Sequence, residues 1–251
     1  MLPLGLAPMV RHGCSIEGDG MSNSIIILSG GTGTRMNAAL PKQYIEVDGK
    51  PVIEHTLNGV GLELFSHAVI VLSDNWKEFF MARVAPAFPG VPFMYAPAGD
   101  SRQESILNGL KALSPLSSED DIVVIHDAAR PMVRRRLVKE LIEECKSADG
   151  AMPVLPISDT VYQSRNGVEI TGLLKRDELY KGQSPEAFKF GKYFEINRRL
   201  SKEQLAAVFG SSEIAYRDGL RVTLIRGDEA NFKITTPSDL ESFKKTIEAI
   251  Q

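Results

Sequence analysis

Five short apolar runs alternate with four helix-patterned stretches over residues 24–156, and few architectures satisfy that order. The runs are Ser24–Ser29, His67–Ser73, Val91–Pro97, Asp121–His126 and Gly150–Pro156. Between them lie helical patterns at Val52–Phe65, Asn75–Ala87, Ser101–Leu113 and Arg134–Ala148. The first run, Ser24-Ile-Ile-Ile-Leu-Ser29, has the β-branched content of a buried strand. Strand–helix–strand repeats join parallel neighbours through right-handed crossovers, which predicts an α/β fold, a Rossmann-like three-layer sandwich with a mostly parallel sheet. Ligands in such sheets sit beyond the carboxyl ends of the strands, where Gly30–Lys42 and His126–Pro131 fall.

The alternation breaks at residues 157–177, where two extended segments flank Arg165-Asn166-Gly167. Asn-Gly between alternating residues is a hairpin signal. An isolated two-stranded ribbon is marginal in water, so this one is expected to protrude as a β-arm and reach a second subunit. The chain then returns through a strand at Arg221–Arg226 and a final helix at Pro237–Ile250, capped by Thr236 or Thr235. Residues 24–251 read as one domain, and residues 1–23 as a disordered extension ahead of it.

Composition narrows the function. Of 251 residues, 43% are hydrophobic and 24% charged, which is ordinary for a globular domain. The net charge of −3 and the lack of a basic stripe argue against nucleic-acid binding; Arg134-Arg135-Arg136 reads as the solvated first turn of a helix. No apolar run approaches the roughly 20 residues needed to span a bilayer, and the expected location is cytoplasmic. Cys14 and Cys145 are too few for a disulfide framework or a zinc site, and Cys145 reads as a packed thiol.

The first strand runs into GGTGTRMNAALPK, Gly30 to Lys42. Glycines at a strand end let the backbone turn and expose successive N–H groups, which suits a phosphate. Arg35 and Lys42 add two positive charges to the same loop. A P-loop would need GxxxxGK[ST], which is absent. A dinucleotide fingerprint would need a third glycine where Met36 stands. What remains is a polyphosphate site of another kind.

The motifs LSGGTGTRM, LPKQYIEVDGKPVIEHTL, AGDSRQESILNGL, HDAARP, DTV, QSPEAF and NFKITTPSDL follow in order. With them the chain resembles the nucleotidylyltransferases, and among these the polyol-phosphate cytidylyltransferases, over about residues 24–250. The resemblance implies transfer of a cytidylyl group from CTP to a polyol phosphate with Mg²⁺, in a homodimer joined through the arm. Arg35, Lys42 and Lys233 correspond to the cations that bind the triphosphate and neutralise the transition state. Ser29, Gly30, Gly31, Gly33, Gly99, Asp100 and Ser105 correspond to further CTP contacts, the last three reading cytosine. Asp127 corresponds to the carboxylate near the metal. Arg130, Thr160 and Arg176 match positions holding the polyol phosphate, the last two across the dimer. Arg102 reads equally as a phosphate contact or a loop-structuring residue, and His126 as a hydrogen-bonded structural residue facing away from Asp127.

Two branches of that family are close, one using ribitol 5-phosphate and one 2-C-methyl-D-erythritol 4-phosphate. Tyr180, Tyr162, the segment Leu200–Leu205 and Ala230 lean toward the ribitol branch. Phe209-Gly210 stands where both branches commonly carry Thr-Asp. That departure is the one feature favouring a nucleotide-binding protein without catalysis. The implied chemistry needs no Ser–His–Asp set, because a phosphate monoester is already anionic near neutral pH. The obstacle is that two anions must meet, so placed cations and a metal supply most of the catalysis.

Overall fold

A computed structural model of the chain describes residues 21–31, 36 and 40–250. Strands β1 (Asn23–Leu28), β2 (Glu46–Val47) and β3 (Lys50–Pro51) lead to helix α1 (Val52–Val60). Then come β4 (His67–Leu72), α2 (Lys77–Arg83), β5 (Phe93–Pro97), α3 (Arg102–Leu113), β6 (Ile122–Asp127), α4 (Arg135–Ser147) and β7 (Gly150–Pro156). The arm carries β8 (Tyr162–Gln163) and β9 (Gly172–Leu173). The remainder is β10 (Tyr180–Gly182), β11 (Glu186–Lys189), α5 (Phe190–Arg199), α6 (Lys202–Ala206), α7 (Ser211–Arg217), β12 (Val222–Arg226) and α8 (Pro237–Glu248).

The main sheet places β1 between β4 and β6, with β5 outside β4, all parallel. Alternate residues of these strands feed two cores. Ile25, Ile27, Ile70 and Val124 pack under α1, α2 and α4 on one face. Ile26, Val71, Val123 and Ile125 pack under α3, α5 and α7 on the other. This is the three-layer arrangement anticipated from the strand–helix alternation. Cys145 is fully buried on the inner side of α4, where burial pushes its thiol up to about 12.

The sheet departs from the simple alternation at β11. This four-residue strand lies between β6 and β7 and is antiparallel to both, pairing Ala187 with Val124 and Ala151. Its EAFK sequence, directly after Pro185, is too short for a periodic signal. The helix expected over residues 52–65 ends at Val60, because Gly61 takes the left-handed conformation at φ 72° and closes α1. The stretch 75–87 holds only the seven residues of α2 between short 3₁₀ turns, with Pro86 in the second of these. Thr236, the first of the two candidate caps, closes α8 in a capping box with Asp239.

The arm pairs Tyr162 with Leu173 and Gln163 with Gly172. Its apex is broader than a two-residue turn: the Asn166 Oδ1 accepts the N–H groups of Val168 and Glu169, each at 3.0 Å. Such an Asx arrangement replaces ladder bonds at the tip. Tyr162, Val168, Ile170 and Leu173 stand exposed along it.

Candidate active site

Asp127 is the last residue of β6 and lies at the carboxyl edge of the parallel sheet. The next residues turn away from the strand, and the backbone N–H of Ile234 donates to Ala129 O at 2.9 Å. That bond lays the Asn231–Thr235 segment across the strand end. Ile234 is held further by packing with Val52, Leu240 and Phe243 beneath α8. Lys233, between the half-buried Phe232 and the buried Ile234, is thereby aimed at Asp127: its Nζ is 2.9 Å from Oδ2.

Two arginines complete the cluster. Arg102, in the first turn of α3, brings Nε to 3.3 Å from Asp127 Oδ1. Arg130 brings its Nε to 3.5 Å from Oδ2 and donates from Nη1 to Asn231 O at 2.9 Å. Burial alone would raise the Asp127 pKa, but the charges of Arg102, Lys233 and Arg130 outweigh it and hold the carboxyl well below the usual carboxylate range. Neighbouring His126 points the other way. Its Nδ1 lies 3.1 Å from the Ser184 hydroxyl and its Nε2 3.3 Å from Arg130 O, and burial pushes its pKa down to about 3. A neutral, hydrogen-bonded imidazole here braces the strand end.

Two clefts meet at this cluster. The first, of about 410 Å³, is lined by Gly30, Gly31 and Lys42 on one side and by Gly99, Asp100 and Ser105 on the other. Arg102, Asp127 and Lys233 line it too, and they also line a second cleft of about 480 Å³ that includes Arg130, Glu186 and Phe209. At Gly30 an added Cβ would stand 2.4 Å from Ala98 Cβ, so only glycine lets the loop after β1 pass the loop after β5. Gln43 buckles the glycine turn from below, donating to Ser29 O at 2.7 Å and Gly31 O at 2.9 Å. On the opposite wall the Ser105 hydroxyl accepts the Gly99 N–H at 2.9 Å, fixing the loop ahead of α3.

The match to known proteins is decided by length as well as motif: residues 24–248 match the family described as IspD: 2-C-methyl-D-erythritol 4-phosphate cytidylyltransferase. The chain belongs to the IspD family. It is 31% identical over 226 residues to a ribitol-5-phosphate cytidylyltransferase of Lactiplantibacillus plantarum, covering 88% of this chain and 97% of that one. It is 32% identical over 237 residues to a 2-C-methyl-D-erythritol 4-phosphate cytidylyltransferase of Geotalea uraniireducens, covering 90% and 98%. A crystal structure of the 4-diphosphocytidyl-2C-methyl-D-erythritol synthase of Anaerococcus prevotii superposes with a TM-score of 0.77 at 25% identity, covering 91% of this chain and 97% of that one. This IspD-family chain is thus a cytidylyltransferase, hence a nucleotidyltransferase. Among the described residues, no helix is long and apolar enough to cross a membrane.

Within the IspD frame, the residues singled out from sequence distribute unevenly. Lys42, Lys233, Gly30, Gly31, Gly99, Asp100, Ser105 and Asp127 line the first cleft, and Arg130 the second. Arg35 and Gly33 lie outside the described residues. The Ser29 hydroxyl is buried and donates to the Tyr44 hydroxyl at 2.9 Å, which leaves its carbonyl as the part serving the loop. Asp100 points outward, its carboxylate 2.5 Å from Lys202 Nζ on α6. Thr160 and Arg176 are exposed at the base of the arm and line neither cleft of their own chain; Arg176 donates to Ser158 O at 3.1 Å. Gln43, Gln183, Glu186 and Asn231 escaped the sequence reading although each sits inside a quoted motif. Gln183 and Asn231 stitch the Lys233 segment to the start of β11, through Gln183 Nε2 to Asp228 O and Asn231 Nδ2 to Ser184 O.

The donor set defines what metal could sit here. Among the described residues, no group of three or more His, Cys, Asp or Glu side chains is placed to hold an ion. A lone, firmly ionised carboxylate suits Mg²⁺, which commonly takes one or two carboxylates and completes its shell with water and substrate phosphates. Asp127 fits that role alongside a triphosphate and not as a free-standing cage.

Proposed function

We propose that this cytidylyltransferase joins CTP to D-ribitol 5-phosphate, giving CDP-ribitol and pyrophosphate. The observation carrying the reading is the junction of the two clefts, where Lys233, Arg102 and Arg130 surround Asp127. CTP occupies the first cleft, with its triphosphate on the glycine turn and Lys42, and its base against Gly99 and Ser105. A pyrimidine-sized slot lined by backbone groups rejects purines by shape and by unmatched polar atoms. The acceptor occupies the second cleft with its phosphate at Arg130, whose guanidinium fork suits a terminal phosphate.

In the reaction, an acceptor phosphate oxygen forms a bond to the α-phosphorus. The bond from that phosphorus to the bridging oxygen breaks, and the electron pair leaves with pyrophosphate. Lys42, Lys233 and Arg35 take up the charge that gathers on the crowded phosphorus. Mg²⁺ held by Asp127 and the phosphates would supply further charge neutralisation. The arm carries Thr160 and Arg176 to the second cleft of a partner subunit, and this motivates a homodimer.

The choice of ribitol 5-phosphate rests on Tyr162, Tyr180, Ala230 and the inserted α6 segment, whose Lys202 contacts Asp100 at the rim of the first cleft. The similarity to 2-C-methyl-D-erythritol 4-phosphate enzymes supplies the second reading. A pyrophosphate-release assay with CTP and each acceptor in parallel tests both. Faster turnover with ribitol 5-phosphate is expected. The reverse order transfers the enzyme to the second reading, and no release with any polyol phosphate removes both.

A further inference from the structure

The second cleft has a polarity that the triphosphate chemistry does not require. Arg102, Asp127 and Lys233 line both clefts, so the cations mark the end where the clefts join. Glu186 and Glu213 line the second cleft alone. Glu213 is partly neutralised by Arg217 at 2.6 Å and by the Phe209 N–H at 2.7 Å. Glu186 differs. It is only 6% exposed, at the first position of β11. Its Oε2 accepts the Ser212 N–H at 2.9 Å and the Ser212 hydroxyl at 2.6 Å. Among the described residues its Oε1 faces only the Arg102 Nη2, an ion pair at 3.6 Å that is beyond hydrogen-bond distance.

A buried carboxylate with an oxygen short of donors, in a cleft that receives a phosphate, does two things. It accepts a hydrogen bond from a ligand hydroxyl, because a largely buried carboxylate gains from a donor that one of its oxygens lacks. It also repels a second anion, since screening is weak there. We infer that Glu186 reads the uncharged hydroxyl tail of the acceptor and turns away acceptors bearing a second anionic group at that end. The acceptor is thereby oriented, with phosphate toward Arg130 and Lys233 and hydroxyls toward Glu186. This inference rests on the transferase reading given above.

The test compares D-ribitol 5-phosphate with ribonate 5-phosphate, which carries a carboxylate at the far carbon. Unaltered enzyme is expected to favour the polyol by about 10-fold or more in kcat/KM. Glu186→Gln keeps an oxygen for Ser212 but removes the charge. It is expected to raise KM for the polyol about 10-fold, the loss of one charge-assisted hydrogen bond, and to narrow the preference. KM for CTP and Tm should stay put, which a merely structural tether to α7 would not allow alongside a raised acceptor KM. Equal use of the two acceptors by unaltered enzyme overturns the inference, as does a well-folded variant with unchanged polyol KM and preference. Should the variant fold poorly, the preference of the unaltered enzyme decides alone. Absence of turnover by unaltered enzyme with any polyol phosphate defeats the parent reading and this one with it.

Discussion

Asp127 holds three cations on two oxygens. In the proposed reaction each cation would be in position before any phosphate arrives, so the cost of gathering like charges would be met by folding and not at the moment of reaction. Lys42 belongs to the same logic on the facing wall of the cleft. Replacing it with alanine should lower kcat/KM for CTP turnover by about 100-fold or more, the loss typical of one preorganised charge donor, with Tm unchanged. Steady-state assay with thermal melting checks this, and unchanged turnover would remove Lys42 from the chemistry. At this scale the sequence was legible where charge and motif coincide, as at Lys42, Asp127 and Lys233. It was silent on Glu186 and Gln43. A glutamate or glutamine in a motif carries no mark of whether its head will meet Ser212, Ser29 or water; the neighbours come from 14 to 26 residues away.

Elements aim these side chains. The Lys233 segment has no regular structure of its own and borrows rigidity from α8 behind it and from the Ala129 carbonyl in front. The capping box of Thr236 and Asp239 anchors the first turn of α8 three residues beyond Lys233. Thr236→Ala should therefore cost about 1 kcal/mol of stability, visible as a lower denaturation midpoint at unchanged slope. An unaltered midpoint would show that the box is dispensable. The start of α3 was readable, because Ser101 opens the helical pattern and caps the helix, whereas the stop at Gly61 was passed over by a pattern that runs on to Phe65. β11 was unreadable because four residues of EAFK fit many contexts. What makes them a strand is the pair of open edges on β6 and β7, which exist only after the sheet has assembled.

The molecule as a whole leaves an apolar arm exposed and two proposed acceptor contacts, Thr160 and Arg176, away from their own clefts. If the arm crosses to a partner, Arg130→Ala and Arg176→Ala dimers should each be inactive, and mixing them after dissociation should restore about a quarter of full activity, through the one intact site in each mixed dimer. No recovery, with mixed dimers demonstrated, would place Arg176 outside the partner's site. The sequence by itself determined the α/β layering and the family, because strand–helix alternation and glycine turns act locally and leave their mark on successive residues. Only the tertiary structure decided that Arg102, Arg130 and Lys233 share Asp127, and that Glu186 faces the second cleft. Arg130 lies only three residues from Asp127, but Arg102, Lys233 and Glu186 come to the cluster from distant parts of the chain, and no local pattern encodes a distance that the whole sheet has to set.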